Sequence, residues 1–228
     1  ATNITSAGGS YVFTNVPPGD YTVVQTVPPG YLATTPTTVN VTLTSGSTDM
    51  ANFLDTQPGS IAGSVLVDVN GDGVFDSNDT NGIAGVTVVL ETTNGVPVAT
   101  NITSADGSYV FTNVPPGNYV VVETDKSGWY STGDSVPPND NQVTVTLTSG
   151  QGLTGNSFLD AQLAQITGSV LVDVNGNGIA DAADTNGVAP VVLKIYQGGT
   201  NLVATVTNNP DGTYSVPDLP PVDYTVVQ

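Results

Sequence analysis

Apolar and polar side chains alternate along this chain with a period of two, and helical periodicity is absent. In residues 142–149, Val143, Val145 and Leu147 fall on one side, and Thr144, Thr146 and Thr148 on the other. The related run VNVTLTS sets Val39, Val41 and Leu43 against Asn40, Thr42 and Thr44. GVTVVLE places Val86, Val88 and Leu90 on one face, and its counterpart PVVLKIY places Val191, Leu193 and Ile195 there. Such one-sided strands predict sheets with one packed face and one wet face. Turn signals separate the runs. Asp106 with Gly107, and Asp211 with Gly212, predict hairpins. Pro115, Pro116 and Gly117, like Pro17, Pro18 and Gly19, predict turns in which proline presets φ and glycine takes φ > 0. Several short strands at this spacing imply an all-β fold, a Greek-key or prealbumin-like β-sandwich.

The pattern repeats. GSVLVDVNGDGVFDSNDTNG from Gly63 recurs 105 residues later, from Gly168, as GSVLVDVNGNGIADAADTNG. ATNITSAGGSYVFTNVPPGDYTVV from Ala1 recurs from Ala99, and more loosely from Ala204. Phe53, Leu54 and Asp55 recur as Phe158, Leu159 and Asp160. The expected organisation is tandem: 1–57 is the back part of one repeat, 58–162 a complete repeat, and 163–228 the front part of a third. A unit near a hundred residues is large enough to bury its own core. The chain reads as a segment of something longer.

The acidic residues cluster in two places. DVNGDGVFDSND fits the calcium-loop spacing D-x-[DN]-x-[DN]-G. Asp68, Asn70, Asp72, Asp76 and Asp79 would offer side-chain oxygens, and Val74 a backbone carbonyl, with Gly73 permitting the sharp turn. The second copy supplies Asp173, Asn175, Asn177, Ile179, Asp181 and Asp184. Position twelve carries Asp rather than Glu, and Asn177 stands where the first loop has Asp72, so weaker binding is expected in the second loop. An ion-free turn rich in Asp, Asn and Gly is the plainer alternative. It is disfavoured because the twelve-residue match occurs twice, in register with the fold repeat. Strands on both flanks exclude a helical EF-hand. Calcium here would act as a staple near the N-terminal strand, close to the junction at Gln57, Pro58 and Gly59, stiffening domain and joint together.

Charge and composition narrow the function. The formal net charge is −18 and Lys126 and Lys194 are the only cationic side chains, which argues against nucleic acid and anionic membranes as partners. No apolar run approaches the ~18 residues of a membrane helix. With neither Cys nor His, the chain has no disulfide, no thiolate and no His-centred triad. Two carboxylates would suffice for a glycosidase, but acids in repeated, metal-spaced loops do not make a singular active site, so no enzyme is expected. Extracellular calcium modules bind at ~0.1–1 mM, which points to an extracellular or cell-surface location.

The loop DVNGDGVFDSND followed by TSADGSYVFTNVPPGNYVVVE resembles the calcium-binding B-type repeats of serine-aspartate-repeat surface adhesins, the SdrD B-like family. More distantly it is similar to collagen-adhesin B-type domains with their transthyretin-like sandwich. The resemblance implies stalk-like domains that hold a head away from a surface or build filaments. It also implies that Asp68, Asn70, Asp72, Asp76, Asp79, Asp173, Asn175, Asp181 and Asp184 are calcium ligands. Some collagen-adhesin relatives carry a Lys–Asn isopeptide cross-link. Lys194 aligns with Val89 of the complete copy, and Lys126 lies in a polar loop, so no such bond is expected.

The expected function is therefore a calcium-stabilised extracellular stalk or filament. Its partners would be neighbouring repeats or copies of itself, joined head to tail. The alternative is a cell-surface adhesin or carbohydrate-binding module, using loops or a stacking platform of Trp129, Tyr130 and Tyr31 to hold surface glycans. Packing over a sheet end is the plainer reading of those aromatics. Sequons occur at Asn3, Asn40, Asn78 and Asn101. N-glycans at Asn3, Asn40 and Asn101 are expected if the source is eukaryotic, and the sequons carry no meaning if it is bacterial.

Overall fold

The computed structural model describes all 228 residues, as strands and turns without a helix. The middle repeat contributes β5 (Gly59–Val67), β6 (Thr87–Thr92), β7 (Pro97–Ile102), β8 (Ser108–Val114), β9 (Gly117–Thr124), β10 (Trp129–Asp134), β11 (Gln142–Leu147), β12 (Gly152–Leu153) and β13 (Phe158–Gln162). Before it lie β1 (Gly19–Val24), β2 (Leu32–Ala33), β3 (Thr38–Leu43) and β4 (Asp55–Thr56). After it come β14 (Ala164–Ser169), β15 (Val192–Gln197), β16 (Asn201–Thr207), β17 (Thr213–Leu219) and β18 (Tyr224–Val227).

Two sheets face each other in the middle repeat. One runs β11-β9-β6-β7, all antiparallel. In the other, β5 pairs antiparallel with β8 and parallel with β12 and β13, and β13 pairs with β10. Alternation decides what faces inward. Val86, Val88, Leu90, Val143 and Leu147 are buried, as their spacing predicts, and they join Ile61, Val65, Tyr109, Phe111, Val121 and Phe158 in one core. Burying a Val, Leu, Ile or Phe side chain contributes about 1.5–3 kcal/mol, so this face holds the sheets together.

The third repeat reproduces the pattern as far as it extends. Its β14 pairs with β17 as β5 does with β8, and β15 lies between β16 and β18 as β6 lies between β7 and β9. Its buried cluster is small: Ile195, Val216 and Leu219. In residues 1–57 the ladders β1·β3 and β2·β4 form, but no residue is fully buried.

Two sequence expectations are corrected. The turns at Asp106–Gly107 and Asp211–Gly212 are tight, yet they do not join paired strands. β7 continues into one sheet and β8 into the other, and likewise β16 and β17. The reason is packing beneath the turn. Buried Thr103 accepts from Val86 N–H and donates to the Ile83 carbonyl, which holds the chain to the β6 sheet. Gly107, at φ 76°, lies so close to β5 that a Cβ would come within 2.3 Å of the Val65 carbonyl. The second correction concerns the 68–79 loop. It begins after Val67, at the far end of nine-residue β5 from Gly59, and so lies away from the junction at residues 57–59. It meets the following repeat instead.

Candidate metal centres

The 68–79 loop closes on itself through its own carboxylates. Gly71 and Gly73 N–H donate to the two oxygens of Asp68, at 2.7 and 2.8 Å. Asp72 N–H donates to Asn70 Oδ1 (3.2 Å), Val74 N–H to Asp72 Oδ1 (2.8 Å) and Asp76 N–H to Asp79 Oδ2 (2.9 Å). Asp68 and Asp79 are buried, at 2% and 4% exposure, whereas Asn70, Asp72 and Asp76 are exposed. Val74 turns its side chain to solvent, which leaves its carbonyl as the group it can contribute. The Asn70 amide donates to Asp72 Oδ2 at 2.9 Å, a bridge that a cation would replace.

The loop is roofed by β10 and β13. Asp68 N–H donates to the Asp160 carbonyl at 2.8 Å, and a Cβ on Gly73 would meet the Thr132 carbonyl at 2.4 Å. Burial works to raise the Asp68 carboxyl. The nearby Thr132 hydroxyl and the N–H groups of Gly73, Gly71 and Asp72 outweigh it, so the group is held below the usual carboxylate range. Such an acid is ionised and ready for a hard cation.

The second loop has the same internal bonds in more open surroundings. Gly176 and Gly178 N–H donate to Asp173 at 2.7 and 2.8 Å, and the latter bond leads in holding that carboxyl low. Asp181 N–H donates to Asp184 Oδ2 at 3.0 Å. Asp181 is held low chiefly by the Ala183 N–H, then by the side chains of Asn175 and Asn177. Asp184 is buried like Asp79, but Asp173 is exposed, as are Asn175, Asn177, Ile179 and Asp181.

Three acids with oxygens mutually within 4.8 Å occur together outside the loops: Glu123, Asp125 and Asp160. β9 alternates Tyr119, Val121 and Glu123 inward, so Glu123 is an acid on a core-facing position, at 3% exposure. Asp160, on β13, is fully buried. The Glu123 and Asp160 carboxyls are in side-chain hydrogen-bond contact with each other, and none of their four oxygens has any other partner. Burial, and then the charge of Asp160, pushes the Glu123 carboxyl far up; burial also raises Asp160, against the Glu123 contact, with help from Asp125 and Asp134. The sequence expectation missed this cluster, although an acid at an inward position of an alternating strand was its signal.

Other candidates fall into place around these centres. Lys126 donates to the Ala84 carbonyl at 2.8 Å, and Lys194 is exposed on β15. Trp129 packs against the core, whereas Tyr130 and Tyr31 are exposed. Asn101 Nδ2 donates to the Val110 carbonyl (2.7 Å) and Asn3 Nδ2 to that of Val12 (2.6 Å), the same bond in two repeats. Asn40 Oδ1 accepts from Thr22 across β1 and β3.

The SdrD B-like domain matches residues 59–161 and 164–228. Serine-aspartate repeat-containing protein D of Staphylococcus aureus (strain Newman) is 30% identical over 94% of this chain, and protein F of Staphylococcus epidermidis is 28% identical over 99%. The chain spans 18% and 14% of the length of those relatives. Among solved structures, the Bacillus anthracis TIE protein aligns over 93% of this chain and 37% of its own, at 19% identity and TM-score 0.40. A streptococcal ancillary pilin aligns over 90% and 64%, at 17% identity and TM-score 0.40. The relatives are cell-surface proteins, and the chain's location is extracellular. It belongs to the SdrD B-like domain family.

Proposed function

We propose that this chain is part of a calcium-stabilised extracellular stalk, in which ions held by the 68–79 and 173–184 loops stiffen tandem β-sandwiches and the joints between them. The ligands would be Asp68, Asn70, Asp72, Asp76, Asp79 and the Val74 carbonyl in the first loop. In the second they would be Asp173, Asn175, Asn177, Asp181, Asp184 and the Ile179 carbonyl. Calcium supplies charge neutralisation to acids that otherwise repel one another. The loops themselves supply backbone N–H groups that keep the position-one carboxylates ionised.

One observation carries the reading. The first loop lies between its own repeat and the next. Asn70 and Gly71 border a cleft with residues 164–166 and 219–224, and a Cβ on Gly71 would meet the Pro221 carbonyl at 2.8 Å. A loop ordered by calcium therefore presses on the following unit, and a loosened one releases it. Relatives of this family are surface structural proteins and adhesins rather than enzymes, which agrees with a mechanical role. Head-to-tail assembly of separate chains would extend the same design.

Removing calcium from the full chain tests this. At free calcium a hundredfold above Kd, binding adds about 2.7 kcal/mol, so chelation should lower the thermal midpoint by about 10 °C or more. It should also expose residues 162–166 to limited proteolysis. An unchanged midpoint and an unchanged cleavage pattern would remove the proposal.

A further inference from the structure

Glu123 and Asp160 are the only pair of fully buried, facing acids without a donor, and neither loop uses them. A carboxylate taken out of water needs hydrogen-bond donors, a proton or a cation. Apart from a proton shared between the two carboxyls, no protein donor reaches them. The nearest lysine in sequence, Lys126, is committed to the Ala84 carbonyl.

We propose that Glu123, Asp125 and Asp160 form a second kind of metal site in the middle repeat, for a hard divalent cation of the calcium class, built independently of the loops. The spacing is compatible with one ion: oxygens that each lie about 2.4 Å from a common calcium can be no more than about 4.8 Å apart, and these three meet that limit. The donor set is oxygen alone, which excludes a preference for soft metals. Asp125 is exposed, so the cluster opens to solvent on one side, and Asn141 Nδ2 orients it by donating to Oδ1 at 2.7 Å.

A proton shared between Glu123 and Asp160 is the competing arrangement. It would join two oxygens only. Besides the four oxygens of that pair, Asp134 Oδ1 and Asn141 Oδ1 in the adjoining strand and turn are also buried without partners. Calcium takes six to eight oxygens, and so accounts for this concentration of acceptors better than one proton does.

The first repeat supplies an internal control. There the equivalent positions are Gln25, Val27 and Asp55, one carboxylate instead of three. Gln25 Nε2 donates to Asp55 Oδ2 at 2.5 Å, so an amide does the joining. The third repeat also has glutamine at this position, Gln228. The fold therefore accommodates a neutral partner, and the three acids of the middle repeat are a specific addition. An ion here would tie β9 to β13, the strand whose Asp160 carbonyl holds the Asp68 N–H.

Native mass spectrometry and calorimetric titration of the full chain with calcium test the site. Glu123→Gln with Asp125→Val, the combination of the first repeat, should lower the bound-ion count by one while Asp72→Asn acts on a loop ion and leaves this one. Asp125→Asn, at an exposed position, should keep the fold and weaken this site about tenfold or more. An ion count and affinities untouched by both variants would overturn the proposal. So would an infrared band of a protonated carboxyl, persisting at saturating calcium and removed by Glu123→Gln. If the double variant fails to fold, Asp125→Asn decides alone.

Discussion

The two acidic loops are close copies with different neighbours. Their internal bonds agree nearly one for one: position one accepts from two glycine N–H groups, and position twelve accepts from position nine. Position twelve is buried in both. Position one is not: Asp68 lies under Thr132 and β13, whereas Asp173 is exposed, with no strand of residues 163–228 laid over it. Loop sequence thus sets the local shape, and in the middle repeat the closing strands of the sandwich set the dielectric around the first proposed ligand. A cation is held more firmly where water is excluded, because charge interactions weaken steeply with local polarity.

The sharpest way to break this comparison is to remove the roof. Phe158 on β13 is fully buried, while its counterpart Phe53 is only partly so. Phe158→Ala should cost about 3–5 kcal/mol in denaturant unfolding of the full chain. It should also make the first loop behave like the second in calcium titration. Phe53→Ala should cost much less, since residues 1–57 bury no side chain fully. Equal costs would mean that β13 is not what separates the two loops.

The next largest effect concerns the first proposed ligand itself. Asp68→Asn leaves one oxygen where two backbone donors converge, and it removes a charge from a buried ligand set. With calcium at a hundredfold excess over Kd, about 2.7 kcal/mol of linked stability should disappear from the middle repeat. The gap between wild type and variant should narrow in chelator. Asp173→Asn should leave the main unfolding transition where it is. A main transition equally sensitive to both substitutions, measured by calorimetry, would contradict the difference in burial.

Much of this was legible in the sequence, for a definite reason. A period of two directly encodes which side chains face the core, so Val86, Val88, Leu90, Val143 and Leu147 could be placed before any coordinates. The turns of the two acidic loops were legible because the spacing of their Asp, Asn and Gly residues is local. What stayed hidden depends on contacts between distant segments. Asp106 and Gly107 mark a turn, but whether the emerging strand pairs back or crosses to the other sheet depends on β5, some forty residues away. The meeting of Glu123 with Asp160 depends on β13 returning parallel beside β5. Each acid alone looks like an ordinary strand residue; only the pairing makes them a cluster.

The smallest effect probes the one proposed side-chain ligand that differs between the loops. Asn177 stands where the first loop has Asp72, and its amide donates to Asp181 Oδ2 at 3.3 Å, beside a second donation from Asn175 at 3.2 Å. Two amide groups therefore partly neutralise Asp181 without calcium, and the second loop carries one negative charge fewer. Asn177→Asp removes an amide donor and restores that charge. The ion-free loop should become less comfortable through repulsion, and the ion-bound loop better neutralised; both changes favour binding. Calorimetric titration should show second-loop affinity rising about three- to tenfold, since ligand charge count tunes calcium sites over this range. The rise should shrink at high ionic strength because the site is open to solvent. Asp72→Asn in the first loop should produce the mirror-image loss, less sensitive to salt because Asp68 and Asp79 there are both buried. An unchanged second-loop affinity in Asn177→Asp would mean that the exposed side chain at position five is no ligand, and that the two loops differ through their roofs alone.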